Sequence, residues 1–197
     1  MTHANLPADE VIAQTPHLRL VARGGWSYVE RRTASGVVCV AARTKDDRIV
    51  LVEQYRPPVA CRVIELPAGL CGDIADEADE LLETAARREL LEETGYRANR
   101  LRNVATVASS AGMTNEVATL FVADDIEKIA AGGGDESENI TVHEIPFDEV
   151  HEWLRRAQES GKLVDARVYG GLYFLLRQRE PQDTVRLNPN GKHGSTP

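Results

Sequence analysis

The first sixteen residues carry no clear period and are expected to begin disordered. Patterning starts with HLRLVARGGWSYVERRT, residues 17–33, where Gly24-Gly25 separates two extended stretches in the manner of a hairpin. Two apolar runs follow, VVCVAA (37–42) and RIVLVEQY (48–55), joined by the polar turn RTKDD; they predict a second hairpin. Pro57-Pro58 ends the latter strand, because proline lacks the ladder donor. A short strand, RVIEL (62–66), stops at Pro67 and runs into the loop AGLCGDIADEAD. The strongest helical signal is ELLETAARRELLEET, residues 80–94, rich in good helix formers and followed by Gly95 as a stop. Further strands are expected at 104–109, 117–123 and 140–145, with SAGMTNE and the glycine-rich AAGGGDESEN as the intervening loops. Asp148 and Asp165 stand where they can cap helices over 149–161 and 166–178. In the first of these, Trp153 shares the apolar side with Val150 and Leu154 and is assigned to the core. From about 181 the chain is polar and rich in Pro, Gly and Asn, and is read as a flexible tail. Strands first, one central helix, more strands, then helices: this order argues an α/β fold with a mixed sheet rather than a regular βαβ repeat.

Composition narrows the function classes. A chain of 197 residues with 42% hydrophobic and 27% charged residues suits one globular domain with a modest accessory element. No apolar run approaches the roughly 18 residues of a spanning helix, so no membrane partner is expected. The amino end lacks a basic segment followed by an apolar stretch, and Cys39, Cys61 and Cys71 have neither paired nor metal-type spacing. Together these point to reduced thiols in a cytoplasmic protein. A net charge of −8 repels nucleic-acid phosphates, which argues against a nucleic-acid partner. Phosphates can still be bound locally, through metal ions or a few placed arginines.

The candidate chemistry lies on the central helix. Glu89, Glu92 and Glu93 are spaced i, i+3, i+4 and fall within one sector of roughly 100°. Like charges at this spacing cost about 0.2–0.5 kcal/mol per pair. They also lie at the end of the helix whose dipole disfavours anions. Two turns earlier the same stripe is apolar: Leu82, Ala85, Ala86. The helix thus aims carboxylates along the face its first half buries, an arrangement that suits a hard divalent cation with oxygen ligands. From the helix alone, a solvated acidic face explains the cluster equally well.

The surrounding residues carry a resemblance. Arg88-Glu89-Leu90-Leu91-Glu92-Glu93-Thr94-Gly95-Tyr96 is similar to the second half of the Nudix box, with Glu80 at the box's earlier glutamate. Where the pattern has glycine before that glutamate this chain has Ile74; Gly69, in ELPAGL, is the matching glycine. The loop from Gly69 to Glu80 is then about five residues longer than usual, in a turn where extra length costs little. The segments WSYVER (26–31), EQYRPP (53–58), SAGMT (110–114) and VDARVY (164–169) resemble the ADP-ribose pyrophosphatase branch of the family.

That resemblance implies a Nudix α/β/α sandwich with a mixed sheet (35–180) and a small N-terminal antiparallel β element (1–34) exchanged across a homodimer. It implies hydrolysis of ADP-ribose to AMP and ribose 5-phosphate. Alternatives are another nucleoside diphosphate sugar, such as GDP-mannose or ADP-glucose, or a silent nucleotide-binding module. Metal ligands would be Glu89, Glu92, Glu93 and the Ala68 carbonyl, holding Mg²⁺, with Mn²⁺ as a substitute. Arg88 would orient Glu92 by an i, i+4 ion pair. The general base would be Glu136 or Glu138 in the late acidic loop, ranked equal. Arg56 would clamp a phosphate, Trp26 would stack on the base with Arg31 nearby, Gly69 and Leu70 would line the substrate, and Met113 would face the terminal ribose.

Overall fold

The computed structural model describes residues 8–32, 34–72, 80–134 and 139–177. The amino-terminal element is a three-stranded antiparallel sheet: β1 (Glu10–Gln14), β2 (Leu18–Arg23) and β3 (Trp26–Arg31). Its β2–β3 turn is the expected glycine pair, with φ of 55° at Gly24 and 87° at Gly25, a left-handed backbone that glycine adopts without steric cost. β1 falls in a stretch expected to begin disordered; all five of its residues are exposed, so no alternation marks it in the sequence.

The main body is an eight-stranded mixed sheet. Along the chain come β4 (Gly36–Arg43), β5 (Arg48–Arg56), β6 (Cys61–Glu65), β7 (Ala68–Cys71), helix α1 (Leu82–Thr94), β8 (Tyr96–Ala108), β9 (Val117–Lys128), β10 (Thr141–Pro146), α2 (Val150–Glu159), β11 (Leu163–Val164) and α3 (Ala166–Arg177). The spatial order is β11-β6-β5-β4-β9-β8, with β10 paired to β5 and β7 to β4. β4 runs parallel to β9, and β11 parallel to β6; the other pairings are antiparallel.

The strand β4 is covered on both faces, which is why it reads as a continuous apolar run. Cys39 and Ala41 pack with Leu51, Leu120, Val168, Leu172 and Leu175 under α2 and α3. Val38, Val40 and Ala42 pack with Phe121, Ala85, Ala86 and Leu90 under α1. The result is the expected α/β/α sandwich. Trp153 is half-buried against the first of these cores, with its ring 4.9 Å from that of His143.

Five elements differ from expectation. β8 is 13 residues long rather than a segment around 104–109, and β9 continues to Lys128. Bulges at three points in the β8–β9 pairing reset the phase of alternation, and Arg97, Arg100 and Arg102 mask the strand. β7 lies where a loop was expected; its glycine-containing AGLC is held by pairing to β4. α1 begins at Leu82, so Glu80 precedes the helix. Asp148 does not cap α2, whose N-cap is Glu149 without a side-chain bond, whereas Asp165 accepts the Arg167 N–H at 2.7 Å at the start of α3.

Candidate active site

Two glutamates of α1, Glu89 and Glu93, continue its buried stripe. Ala85, Ala86 and Leu90 are fully buried against the sheet, and Glu93, one turn on, is 2% exposed. Its carboxylate accepts the Ala68 N–H at 3.1 Å. Glu89 lies against the same short strand: a methyl group placed on Gly69 would sit 1.9 Å from the Glu89 Cδ. Any side chain at 69 would have to push the Glu89 carboxylate aside. Glu92 is the outward member of the three.

Arg88 organises this cluster. It donates to both carboxylate oxygens of Glu80 at 3.2 Å, to Glu89 Oε1 at 2.8 Å, to Glu92 Oε2 at 3.2 Å and to the Leu70 carbonyl at 2.9 Å. The expected pair with Glu92 is present, but it is one bond among several. The hydrogen bonds to Glu80 raise the Arg88 pKa further. In return, Arg88 and then the Gly72 N–H pull the Glu80 carboxyl below its usual range, against the opposing effect of burial. Glu80 also closes the long loop. Gly72 N–H donates to its carboxylate at 3.4 Å and the Cys71 thiol to its carbonyl at 2.9 Å. The chain at Glu80 therefore lies back against the end of β7.

The donors are hard carboxylate oxygens, and three of them (Glu80, Glu89, Glu92) share one guanidinium. That chemistry and the Cβ-free cradle at Gly69 fit a divalent cation. Among the described residues no three His, Cys, Asp or Glu side chains converge tightly enough to close a cation site on their own. Glu89 and Glu92 turn to Arg88, and Glu93 to the Ala68 N–H.

The other expected site residues fall in three places. Arg56 forms a two-pronged pair with buried Glu65, at 2.8 and 3.1 Å. Met113 and Arg31 both lie where β3 docks on the β8–β9 loop. The Val29 N–H donates to the Met113 carbonyl at 2.8 Å, Arg31 pairs with Glu116 at 2.6 Å, and Asn115 donates to Glu30 at 3.0 Å. A cavity of ≈ 170 Å³ lies beside this junction, lined by Arg31, Ser35, Gly36, Asn115 and Glu116. Met113 is 70% exposed there, and Trp26, at the hairpin turn, is 65% exposed. Glu136 and Glu138 lie outside the described residues. The chain approaches them at Gly134, whose N–H donates to the Glu92 carbonyl at 3.1 Å. A larger cavity of ≈ 590 Å³, lined by Asp46, Phe147, His151 and Leu172, shares no residue with the α1 cluster.

Two ion pairs were not foreseen from the sequence. One joins Glu65 to Arg56; the other joins Asp165, expected only as a helix cap, to the Arg167 guanidinium at 2.9 and 2.7 Å. Burial raises the Asp165 carboxyl, but the Arg167 bonds outweigh it and the pKa ends lowered. Burial pushes the nearby Cys39 thiol up to about 11, so it is a packing residue. The signal that was available is the period-2 position of Glu65 beside Ile64 on a strand: a carboxylate on a covered sheet face needs a partner.

Residues 31–166 match the NUDIX domain family, and the chain belongs to it as a Nudix hydrolase. Among similar proteins, a methanol dehydrogenase activator of Bacillus methanolicus is 36% identical over 73% of each chain. The ADP-ribose pyrophosphatase of Bacillus subtilis is 30% identical over 71% of each. A GDP-mannose pyrophosphatase of Cronobacter sakazakii is 35% identical over 68% of this chain and 69% of that one. The fold matches the crystal structure of an ADP compounds hydrolase with TM-score 0.64 at 19% identity, covering 89% of this chain and 95% of that one. Nudix hydrolases generally require a divalent metal. No helix among the described residues is long and apolar enough to cross a membrane.

Proposed function

We propose that this chain hydrolyses the pyrophosphate bond of ADP-ribose, giving AMP and ribose 5-phosphate, with Mg²⁺ as cofactor and Mn²⁺ as a substitute. One observation carries the reading: on α1, Glu89 packs over Gly69 and Glu93 lies buried against the Ala68 N–H, while a single arginine, Arg88, is shared by Glu89, Glu92 and Glu80 just before the helix. Glu89, Glu92, Glu93 and the Ala68 carbonyl would hold the cation. Once bound, it supplies neutralisation of the diphosphate and activation of the attacking water.

The protein's own groups do the rest. Arg88 holds Glu89 and Glu92 in place and ties them to β7 through the Leu70 carbonyl. Gly69 and Leu70 would line the diphosphate. Arg56, held in line by Glu65, presents its guanidinium to a phosphate. Glu136 or Glu138 takes the proton from water as it attacks phosphorus and the bridging P–O bond breaks. Trp26 stacks on the base, Arg31 sits near it, and Met113 faces the ribose. The arm, residues 1–34, would lie on a second copy of the 35–180 body in a cytoplasmic homodimer, with 181–197 as a tail. Exposed Val11, Ile12 and Leu18 on the arm support that arrangement.

A second reading keeps the reaction and changes the sugar. The relative named GDP-mannose pyrophosphatase is 35% identical, and the α1 cluster addresses only metal and pyrophosphate. A substrate panel of ADP-ribose, ADP-glucose and GDP-mannose, with products identified by mass spectrometry, decides between them. ADP-ribose is expected to have the highest kcat/KM and to yield AMP. Equal turnover of GDP-mannose would overturn the narrower assignment.

A further inference from the structure

The last turn of α1 carries an electrostatic problem. Glu92 and Glu93 sit where the helix dipole is negative, and the turn holds no basic residue. Its final carbonyls also lack partners within the helix. Gly95, left-handed at φ 76°, takes the Leu91 carbonyl at 2.8 Å, as helix-terminating glycines do. The carbonyls of the two glutamates are satisfied from elsewhere: Gly133 N–H donates to Glu93 O at 2.7 Å, and Gly134 N–H to Glu92 O at 3.1 Å. The Gly95 carbonyl receives the N–H groups of Ile129 and Ala130 at 2.9 and 3.1 Å.

This clasp needs two backbones in direct contact. A Cβ on Gly132, φ 73°, would stand 2.3 Å from the Thr94 carbonyl carbon and 2.6 Å from the Gly95 nitrogen. A Cβ on Gly95 would stand 2.1 Å from the Ala130 oxygen. These obstacles are main-chain atoms that cannot swing aside. Gly132 is therefore the residue that lets the following two N–H groups reach the helix end.

We infer that Gly132 is a positioning residue for the α1 carboxylates: by seating Gly133 and Gly134 on the Glu93 and Glu92 carbonyls, it fixes the turn from which both side chains project toward the cation. The inference rests on the proposed reading of Glu92 and Glu93 as metal ligands. It adds that their geometry is set from outside the helix, by a segment 35 or more residues further along the chain.

The test is calorimetric titration of Mn²⁺ into the substrate-free full chain, for the wild type, Gly132→Ala and Glu93→Gln. Amide exchange of Gly133 and Gly134 is measured alongside by NMR in metal-free wild type. Gly132→Ala is expected to bind Mn²⁺ about 10–100-fold more weakly while still folded, the range seen when partners behind metal ligands are lost. A merely structural glycine would lower the thermal midpoint and leave the affinity of the folded protein unchanged. The wild-type Gly133 and Gly134 amides are expected to exchange as slowly as those inside α1. Open-loop exchange at both glycines overturns the inference even where Gly132→Ala fails to fold. So does wild-type affinity in a folded Gly132→Ala while Glu93→Gln binds weakly; that result leaves the ligand reading standing. Unchanged affinity in Glu93→Gln overturns the ligand reading and the inference with it.

Discussion

Two carboxylate clusters on opposite faces of one sheet have opposite charge balance. On the α2 side, Glu53 of β5 is 5% exposed and accepts hydrogen bonds from Arg62, from Lys162 at 2.7 Å and from His143 at 2.9 Å. On the α1 side, Glu80, Glu89 and Glu92 share Arg88, with Glu93 buried beside them. Around Glu53 the donors outnumber the carboxylate, and the cluster is complete within the chain. Along α1 the carboxylates outnumber the arginine, and under the proposed function a cation with a diphosphate would complete the balance. Both clusters contain a buried acid, Glu53 in one and Glu93 in the other; what differs is the ratio of cations to anions around it.

The largest expected effect comes from Glu93→Gln. Glutamine preserves the shape and the acceptor for the Ala68 N–H but removes a charge. Turnover should fall by at least about 10²-fold, because loss of partners behind metal ligands alone costs 10–100-fold. Urea unfolding should show stability unchanged or slightly raised. Glu53→Gln should do the reverse, leaving kcat and KM near wild type while costing on the order of 3 kcal/mol of stability.

That second variant has a pH signature. Burial raises the Glu53 carboxyl, but bonds from Lys162, His143 and Arg62 prevail and bring it from 4.5 down to about 2. The folded state thus holds the charged form more tightly than the unfolded chain does. The stabilisation is fully present above about pH 4.5 and is lost as pH falls towards about 2. Unfolding measured across that window should show a steep acid limb in the wild type and a flatter one in Glu53→Gln.

Smaller effects sharpen the contrast. Gly69→Ala should cost about 10–100-fold in turnover, because the new methyl displaces the Glu89 carboxylate while nothing on the α2 face moves. Trp26→Ala belongs to neither cluster. Stacking of a base on an aromatic ring contributes about 1–3 kcal/mol, so KM should rise roughly tenfold with kcat unchanged. Steady-state kinetics on ADP-ribose separates the two.

The part of this architecture written in local pattern was legible. The GG hairpin, the apolar β4 and β5 runs, and the helix with its glutamate triplet each depend on near neighbours in sequence. The buried placement of Glu89 and Glu93 was also legible, because they continue the stripe of Ala85 and Ala86. What was not legible depends on partners distant in the chain. β7 exists because β4 pairs with it, β8 is masked by bulges and arginines, and Arg88 serves Glu80 and Leu70 as well as its i+4 neighbour. The partner that holds Arg56, Glu65, lies nine residues away across a turn. The Glu53 cluster draws on β5, β6, β10 and the approach to β11, and no single stretch of sequence announces it.

The most direct measurement of the central claim is an anomalous difference map from crystals of the full chain soaked in Mn²⁺. A peak is expected within coordination distance of the Glu89, Glu92 and Glu93 carboxylates and the Ala68 carbonyl. A saturating soak that leaves this region empty, in an enzyme that hydrolyses ADP-ribose with Mn²⁺, would contradict that claim.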